Sequence, residues 1–293
     1  MAPPARGLRL LIFDLDGVIY RGALPVPGAS KLVNWAQGAG LVTRFATNNS
    51  TAPRDTYAAR LGRLGIVATQ DDIVTSATAT VDYLERHAPE VRMVLAVGGS
   101  GLVTELSEGG LQVTAATDAA PSDYRGGALP QRYDAVVTGL DFEFDYRRLA
   151  VACAALEEGA RLVATNADLR YPTEIGFLPG AGAMVAALSA ASRVTPTVIG
   201  KPEPAMFEAI LEREGVAPGE ALVVGDNPDS DVVAARRAGI PSVLVLTGVA
   251  NRAVLPSLAG ERRPDAVADG PAELRGIIIG RMKQDAADEH RSV

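Results

Sequence analysis

Short apolar runs, each closed by a polar turn, recur along the chain. Leu8–Phe13 is followed by Asp14-Leu15-Asp16-Gly17, and Leu41–Ala46 by Thr47-Asn48-Asn49-Ser50. Thr197–Ile199 is closed by Gly200-Lys201-Pro202, Ala221–Val224 by Gly225-Asp226-Asn227-Pro228, and Ser242–Leu246 by Thr247-Gly248. Continuous apolar runs of this length predict buried strands. Amphipathic stretches predict helices between them, over Ala29–Gln37, Arg54–Leu64, Pro204–Glu214 and Asp229–Ala238. Glycine follows each near its end, the usual stop signal. Strands alternating with helices imply parallel βαβ units and an α/β fold built on a doubly wound parallel sheet.

The alternation has a second tier. From about Thr80 to Pro179 it runs again, with strands at Arg92–Val97, Asp134–Thr138 and Arg161–Ala164. Helices fall at Leu102–Glu108 and Tyr146–Glu158, and Thr117–Pro130, rich in Ala, Gly and Pro, reads as a loop. Roughly 100 residues make a full domain. The expected organisation is a core of 1–79 and 180–293 with an inserted α/β domain at 80–179.

Composition narrows the function. The 293 residues are 47% hydrophobic, enough for a large core, and carry a formal net charge of −7. An acidic chain is a poor match for the phosphate backbone of nucleic acid, so no nucleic-acid partner is expected. No apolar run reaches the roughly 20 residues that span a bilayer, and Met1–Gly7 lacks the apolar core of a secretory leader. No membrane partner is expected, and the expectation is a cytoplasmic protein. The single cysteine, Cys153, sits among alanines and reads as a small buried apolar residue.

The polar turns fall at predicted strand C-termini, the edge where open α/β sheets bind ligands. Asp14 and Asp16, two residues apart, repel one another unless a cation is present, and Mg²⁺ fits an all-oxygen set best. Val18, Ile19 and Pro25 occupy positions where a calcium loop starting at Asp14 needs ligands or glycine, which excludes that loop. Thr47, Asn48 and Asn49 bring hydroxyl, amide and backbone donors suited to an anion. Lys201 can neutralise crowded carboxylates and a phosphate, and Asp226, Asp229 and Asp231 add a second acidic group. Each cluster alone has an ordinary explanation as a turn or helix cap. Their recurrence at one predicted rim does not.

The order Asp-x-Asp-Gly, Thr-Asn-Asn, Gly-Lys-Pro and Gly-Asp-x-x-x-x-Asp resembles the four motifs of the haloacid dehalogenase superfamily. Asp14 through Gly22, with Tyr20 and Gly22, is similar to its NagD-like branch, as is an insert between the second and third motifs. Ala164–Asp168 through Leu178–Gly182 resembles the end of that branch's large α/β cap.

The resemblance implies a magnesium-dependent phosphatase acting on phosphomonoesters of small metabolites. Asp14 would be the nucleophile that forms an aspartyl-phosphate, and Asp16 the general acid and base. Mg²⁺ would be held by Asp14, the Asp16 carbonyl and Asp226, with Asp231 behind them. Thr47, Asn48 and Asn49 would bind phosphate, and Lys201 would pair with Asp14. Asn227-Pro228 departs from the family's usual residues after Gly-Asp and leaves the local contacts there open. Arg170 and Tyr171 resemble a substrate-facing loop of related caps. Substrate candidates are glycerol phosphate, phosphoglycolate, sugar phosphates and nucleoside monophosphates, and a homodimer through the cap is a further implied partner. Rival readings are a phospho-aspartate signalling module, a catalytically silent binding protein on the same fold, and a phosphomutase.

Overall fold

The structure, a computed structural model, describes residues 7–122, 124–173 and 176–291, with the side chains of 172–173 and 284–291 left aside. Met1–Arg6, most of the stretch on which the expectation of no leader rests, lie outside the described residues. In chain order the strands are β1 (Leu10–Asp14), β2 (Tyr20–Arg21), β3 (Leu24–Pro25), β4 (Val42–Thr47), β5 (Ile73–Thr75), β6 (Met93–Val97), β7 (Gln112–Ala115), β8 (Ala135–Thr138), β9 (Arg161–Ala164), β10 (Arg170–Thr173), β11 (Gly176–Pro179), β12 (Thr197–Val198), β13 (Ala221–Gly225), β14 (Ser242–Val245) and β15 (Ala266–Ala268). The helices are α1 (Ala29–Gly38), α2 (Arg54–Arg63), α3 (Ser76–His87), α4 (Ser100–Glu108), α5 (Tyr146–Glu157), α6 (Ala181–Ser192), α7 (Ala205–Glu214), α8 (Val233–Arg237) and α9 (Pro271–Arg291).

The chain folds as two compact units. The first comprises residues up to Thr47, Ala58–Ile73 and Lys201 onward. Its strands run parallel in the order β15-β14-β13-β1-β4, with β5 at the edge where the chain passes into the second unit. Every residue of β1 and β13 is buried, as the continuous apolar runs require of a parallel sheet covered on both faces. The strand order reverses direction at β1, which has β13 on one side and β4 on the other. Such a switch point opens a crevice beyond the strand C-termini. α7 ends where predicted, at Gly215, whose left-handed backbone (φ 59°) suits a residue without Cβ.

The second unit comprises Asn48–Tyr57 and Val74–Gly200. Its parallel sheet runs β12-β9-β8-β6-β7, packed through Val97, Val136 and Leu162 against Val151 and Leu156 of α5. Cys153 is half-buried against this core rather than fully enclosed. No helix among the described residues is long and apolar enough to cross a membrane.

Two expectations change here. Thr197–Ile199 reads in sequence as a core strand, yet β12 pairs with β9 in the second sheet, Thr197 against Val163 and Val198 against Ala164. The expected 80–179 insert is also too short. α6 packs on α5, β12 extends the second sheet, and Asn48–Tyr57 belongs to the same unit. A local alternation of strand and helix looks alike in both units, and only pairing between distant residues assigns a strand to a sheet.

Candidate functional site

Four acidic and basic groups of the first unit meet at its sheet's C-terminal edge. β1 delivers Asp14, which is 9% exposed. The register Phe13 against Val224 brings Asp14 level with the end of β13, so that Asp226 emerges just past it. On the other side Asp14 pairs with Ala46, and Thr47, 3% exposed, is the last residue of β4.

Lys201 enters from beyond Gly200, through a peptide bond to Pro202 that is cis. Its ammonium has three donors, and all three are used: Asp14 Oδ1 at 2.7 Å, Asp231 Oδ1 at 2.6 Å and the Ala46 carbonyl at 3.2 Å. Asp231 is held on its other face, where Oδ2 accepts the backbone N–H groups of Asp226 (3.2 Å) and Asn227 (3.0 Å). The departure at Asn227-Pro228 resolves here. Asn227 Oδ1 accepts the Asp229 N–H at 3.0 Å and opens a wide helical turn, Pro228–Val232, that leads into α8. Asp229 turns outward to an ion pair with Arg262.

Asp16 sits in the turn after β1. That turn is pinned by Gly17 N–H to the Tyr20 carbonyl (2.6 Å) and by Thr247 Oγ1 to the Gly17 carbonyl (2.6 Å). Burial pushes the Asp16 carboxyl above its ordinary range, while Arg60 and Lys201 pull it back. A buried carboxyl that stays protonated nearer neutrality suits proton donation.

The metal question can be settled by charge and donors. Oxygens of Asp14, Asp226 and Asp231 lie within 4.8 Å of one another. Three carboxylates against one ammonium leave two negative charges uncompensated. Burial pushes Asp14 well above its ordinary range, with Lys201 opposing and Asp231 and Asp226 adding. Burial and then Asp231 push Asp226 up to about 7, against the Val249 N–H and Lys201. Burial acts against the charge on Lys201, but Asp14 and Asp231 outweigh it and raise that group. A divalent, oxygen-seeking cation such as Mg²⁺ matches this set. Both Asp231 oxygens are engaged, whereas Asp14 and Asp226 each commit one, to Lys201 and to the Val249 N–H (2.6 Å). Asp14 and Asp226 are therefore the side chains with an oxygen left for a cation.

Sequence reasoning missed the walls of this site. A Cβ on Gly17 (φ +76°) would stand 2.2 Å from Asp226 Oδ2, one on Gly248 1.9 Å from the same atom, and one on Gly225 2.2 Å from Asp231 Cβ. In sequence all three look like turn punctuation. Arg60 was also missed: its guanidinium lies 3.3 Å above the Tyr20 ring centre and donates to the Gly22 carbonyl. As a cation late in an amphipathic helix it has no distinguishing sequence signal.

Asn48 and Asn49 follow Thr47 in the chain but belong to the second unit. Asn49 Oδ1 accepts from the Thr51 N–H (3.0 Å) and hydroxyl (2.7 Å). Arg170 and Tyr171 lie in the second unit's antiparallel hairpin β10–β11. There the Arg170 guanidinium covers the Phe177 ring at 4.2 Å, and Tyr171 meets Phe142 edge-on at 5.5 Å.

Residues 11–112 match the model of haloacid dehalogenase-like hydrolases, and residues 198–274 match a second, HAD-hydrolase-like model. An acid sugar phosphatase of Staphylococcus aureus (strain MRSA252) is 33% identical over 264 residues, covering 88% of this chain and 96% of that protein. The magnesium complex of a glycerol phosphate phosphatase from Mycobacterium tuberculosis superposes with a TM-score of 0.80 at 36% identity, covering 94% of this chain and 78% of the other. A 4-nitrophenylphosphatase from Thermotoga maritima superposes with a TM-score of 0.80 at 28% identity, covering 92% and 97%.

Proposed function

This chain belongs to the haloacid dehalogenase-like hydrolase family, and from that premise we propose how its own residues carry out phosphoester hydrolysis. It is a magnesium-dependent phosphatase of small phosphorylated substrates. Asp14 attacks the phosphorus and forms an aspartyl-phosphate. Asp16 gives its proton to the departing alcohol oxygen, then takes one from the water that attacks the phosphoryl-aspartate. Orthophosphate leaves and Asp14 is restored.

Lys201 holds one oxygen of Asp14 and so fixes the carboxylate's orientation before attack. Thr47 and the turn at Asn48 and Asn49 bind the phosphoryl oxygens. Asp231 keeps Lys201 in place. Asp14, Asp226 and the Asp16 carbonyl would hold Mg²⁺, which would supply positive charge to the phosphoryl oxygens. The observation that carries this reading is the buried triad of Asp14, Lys201 and Asp231 beside Asp226, with its two surplus negative charges.

Sugar phosphates and glycerol phosphate are the leading substrates, by the names of two relatives. The second unit, with Arg170 and Tyr171, selects among them. A cytoplasmic setting and a homodimer through the second unit complete the proposal; light scattering that returns the monomer mass would remove the dimer. The roles are tested with Asp14→Asn, assayed for phosphate release from a panel of phosphomonoesters with Mg²⁺ present. Release should fall by several orders of magnitude while the melting temperature holds. Turnover near wild type would reject Asp14 as nucleophile. Phosphate released into water, rather than an isomerised sugar phosphate, separates this reading from a mutase.

A further inference from the structure

The turn after Thr47 is held in an unusual way. The Asn48 carbonyl accepts two hydrogen bonds, from Ser76 Oγ at 2.6 Å and Asn166 Nδ2 at 2.8 Å. A trans peptide is planar, with its N–H opposed to its C=O. The two donors that hold the Asn48 carbonyl therefore aim the Asn49 N–H away from Ser76 and Asn166. The Asn48 side chain is fixed as well: Nδ2 donates to Asp168 Oδ2 at 2.9 Å. The holders are tied to each other, since the Asp168 N–H donates to Asn166 Oδ1 at 3.1 Å.

The same short turn reaches a second place. Gly200 N–H donates to the Thr165 carbonyl at 2.8 Å. Asn48 Oδ1 lies so close to Gly200 that a Cβ there would stand 2.6 Å away. Residues 165–168, at the C-terminal end of β9, thus grip both the residue after Thr47 and the residue before Lys201. Nothing about secondary structure demands this. Asn166 is 5% exposed, and burying an amide is costly unless its bonds are needed and made.

We infer that Asn166 and Asp168 are positioning residues for the phosphate-binding turn, Asn166 orienting the peptide between Asn48 and Asn49 and Asp168 locking the Asn48 side chain. The inference rests on the reading that this turn meets the phosphoryl oxygens. Neither residue touches the substrate; both act by aiming groups that do.

The test uses orthophosphate as a competitive inhibitor of ester hydrolysis by the full-length Mg²⁺ enzyme, with thermal melting alongside. Asn166→Ala and Asp168→Ala should raise the inhibition constant for orthophosphate and KM together, by about tenfold, the value of a hydrogen bond to a charged group, with kcat less affected. Asp168→Asn keeps an oxygen that can accept from Asn48, and should bind orthophosphate close to wild type. An unchanged inhibition constant in both alanine variants overturns the inference, whether or not they melt earlier. So does an Asp168→Asn variant as weak as Asp168→Ala. If Asn166→Ala does not fold, the half-buried Asp168 carries the test. Thr47→Val separates the two levels. Weaker orthophosphate binding in Thr47→Val with unchanged alanine variants sinks only the positioning role. No change in any of the three sinks the phosphate-site reading itself.

Discussion

Gly248→Ala adds one methyl group and asks whether Asp226 is a metal ligand. The backbone of Gly248 is not left-handed, so alanine brings no torsional strain, but its Cβ would stand 1.9 Å from Asp226 Oδ2. An ordinary contact begins at 3.4 Å, so the carboxylate must retreat by about 1.5 Å. That breaks its 2.6 Å hydrogen bond from the Val249 N–H. A hydrogen bond to a charged group is worth about 1.5–3 kcal/mol, and each 1.4 kcal/mol is tenfold in affinity. The Mg²⁺ concentration for half-maximal phosphate release should therefore rise by roughly 10- to 100-fold, with much of kcat recovered at saturating Mg²⁺. Gly276→Ala is the control: nothing lies within 4 Å of its added Cβ, and in α9 it should leave the Mg²⁺ dependence alone. A Gly248→Ala enzyme with the wild-type Mg²⁺ requirement would refute the placement of Asp226 at the cation.

Two further outcomes follow from the charges. Asp226 is pushed up to about 7 in the fold, from an ordinary 3.8, so between those pH values the folded state keeps a proton that the unfolded chain releases. In EDTA, stability should fall as pH rises through that window, by on the order of a few kcal/mol, and level off above it. Mg²⁺ should restore most above pH 7. The difference in melting temperature between wild type and Asp226→Asn reads this, and a difference independent of pH would contradict it. Arg60 pulls the Asp16 carboxyl down; Arg60→Gln should move the basic limb of the kcat/KM profile to higher pH, because the acid then holds its proton longer. A limb that stays put or moves down would remove Arg60 from the site's electrostatics.

Asp14, Thr47 and Asp226 were legible in the sequence because each sits at the end of a strand that is buried there. Leu8–Phe13 and Ala221–Val224 read as parallel strands, and their register brings Asp14 and Asp226 together. Lys201 was legible as a residue but not as a consequence of its strand. Thr197–Val198 is only two residues of β structure, and nothing local says that β9 is its neighbour. The glycines at 17, 225 and 248 looked like turns, because a missing side chain carries no sequence trace of the carboxylate it makes room for. Asn166 and Asp168 lie more than a hundred residues from Asn48, beyond the reach of any periodicity argument.

The second unit is not one contiguous insertion, and this bears on swapping such units between relatives. Asn48–Tyr57 comes from a separate stretch of chain and is stitched in by Arg54, whose N–H and Nε meet the two oxygens of Glu105 at 2.7 and 2.8 Å. Glu105 is 3% exposed. A graft cut at 80 and 179 would carry Glu105 away from its cation and leave an orphaned buried carboxylate, a loss of about 3–5 kcal/mol. A chimera meant to exchange specificity must therefore transfer both segments at once, the ten residues from Asn48 together with Val74–Gly200.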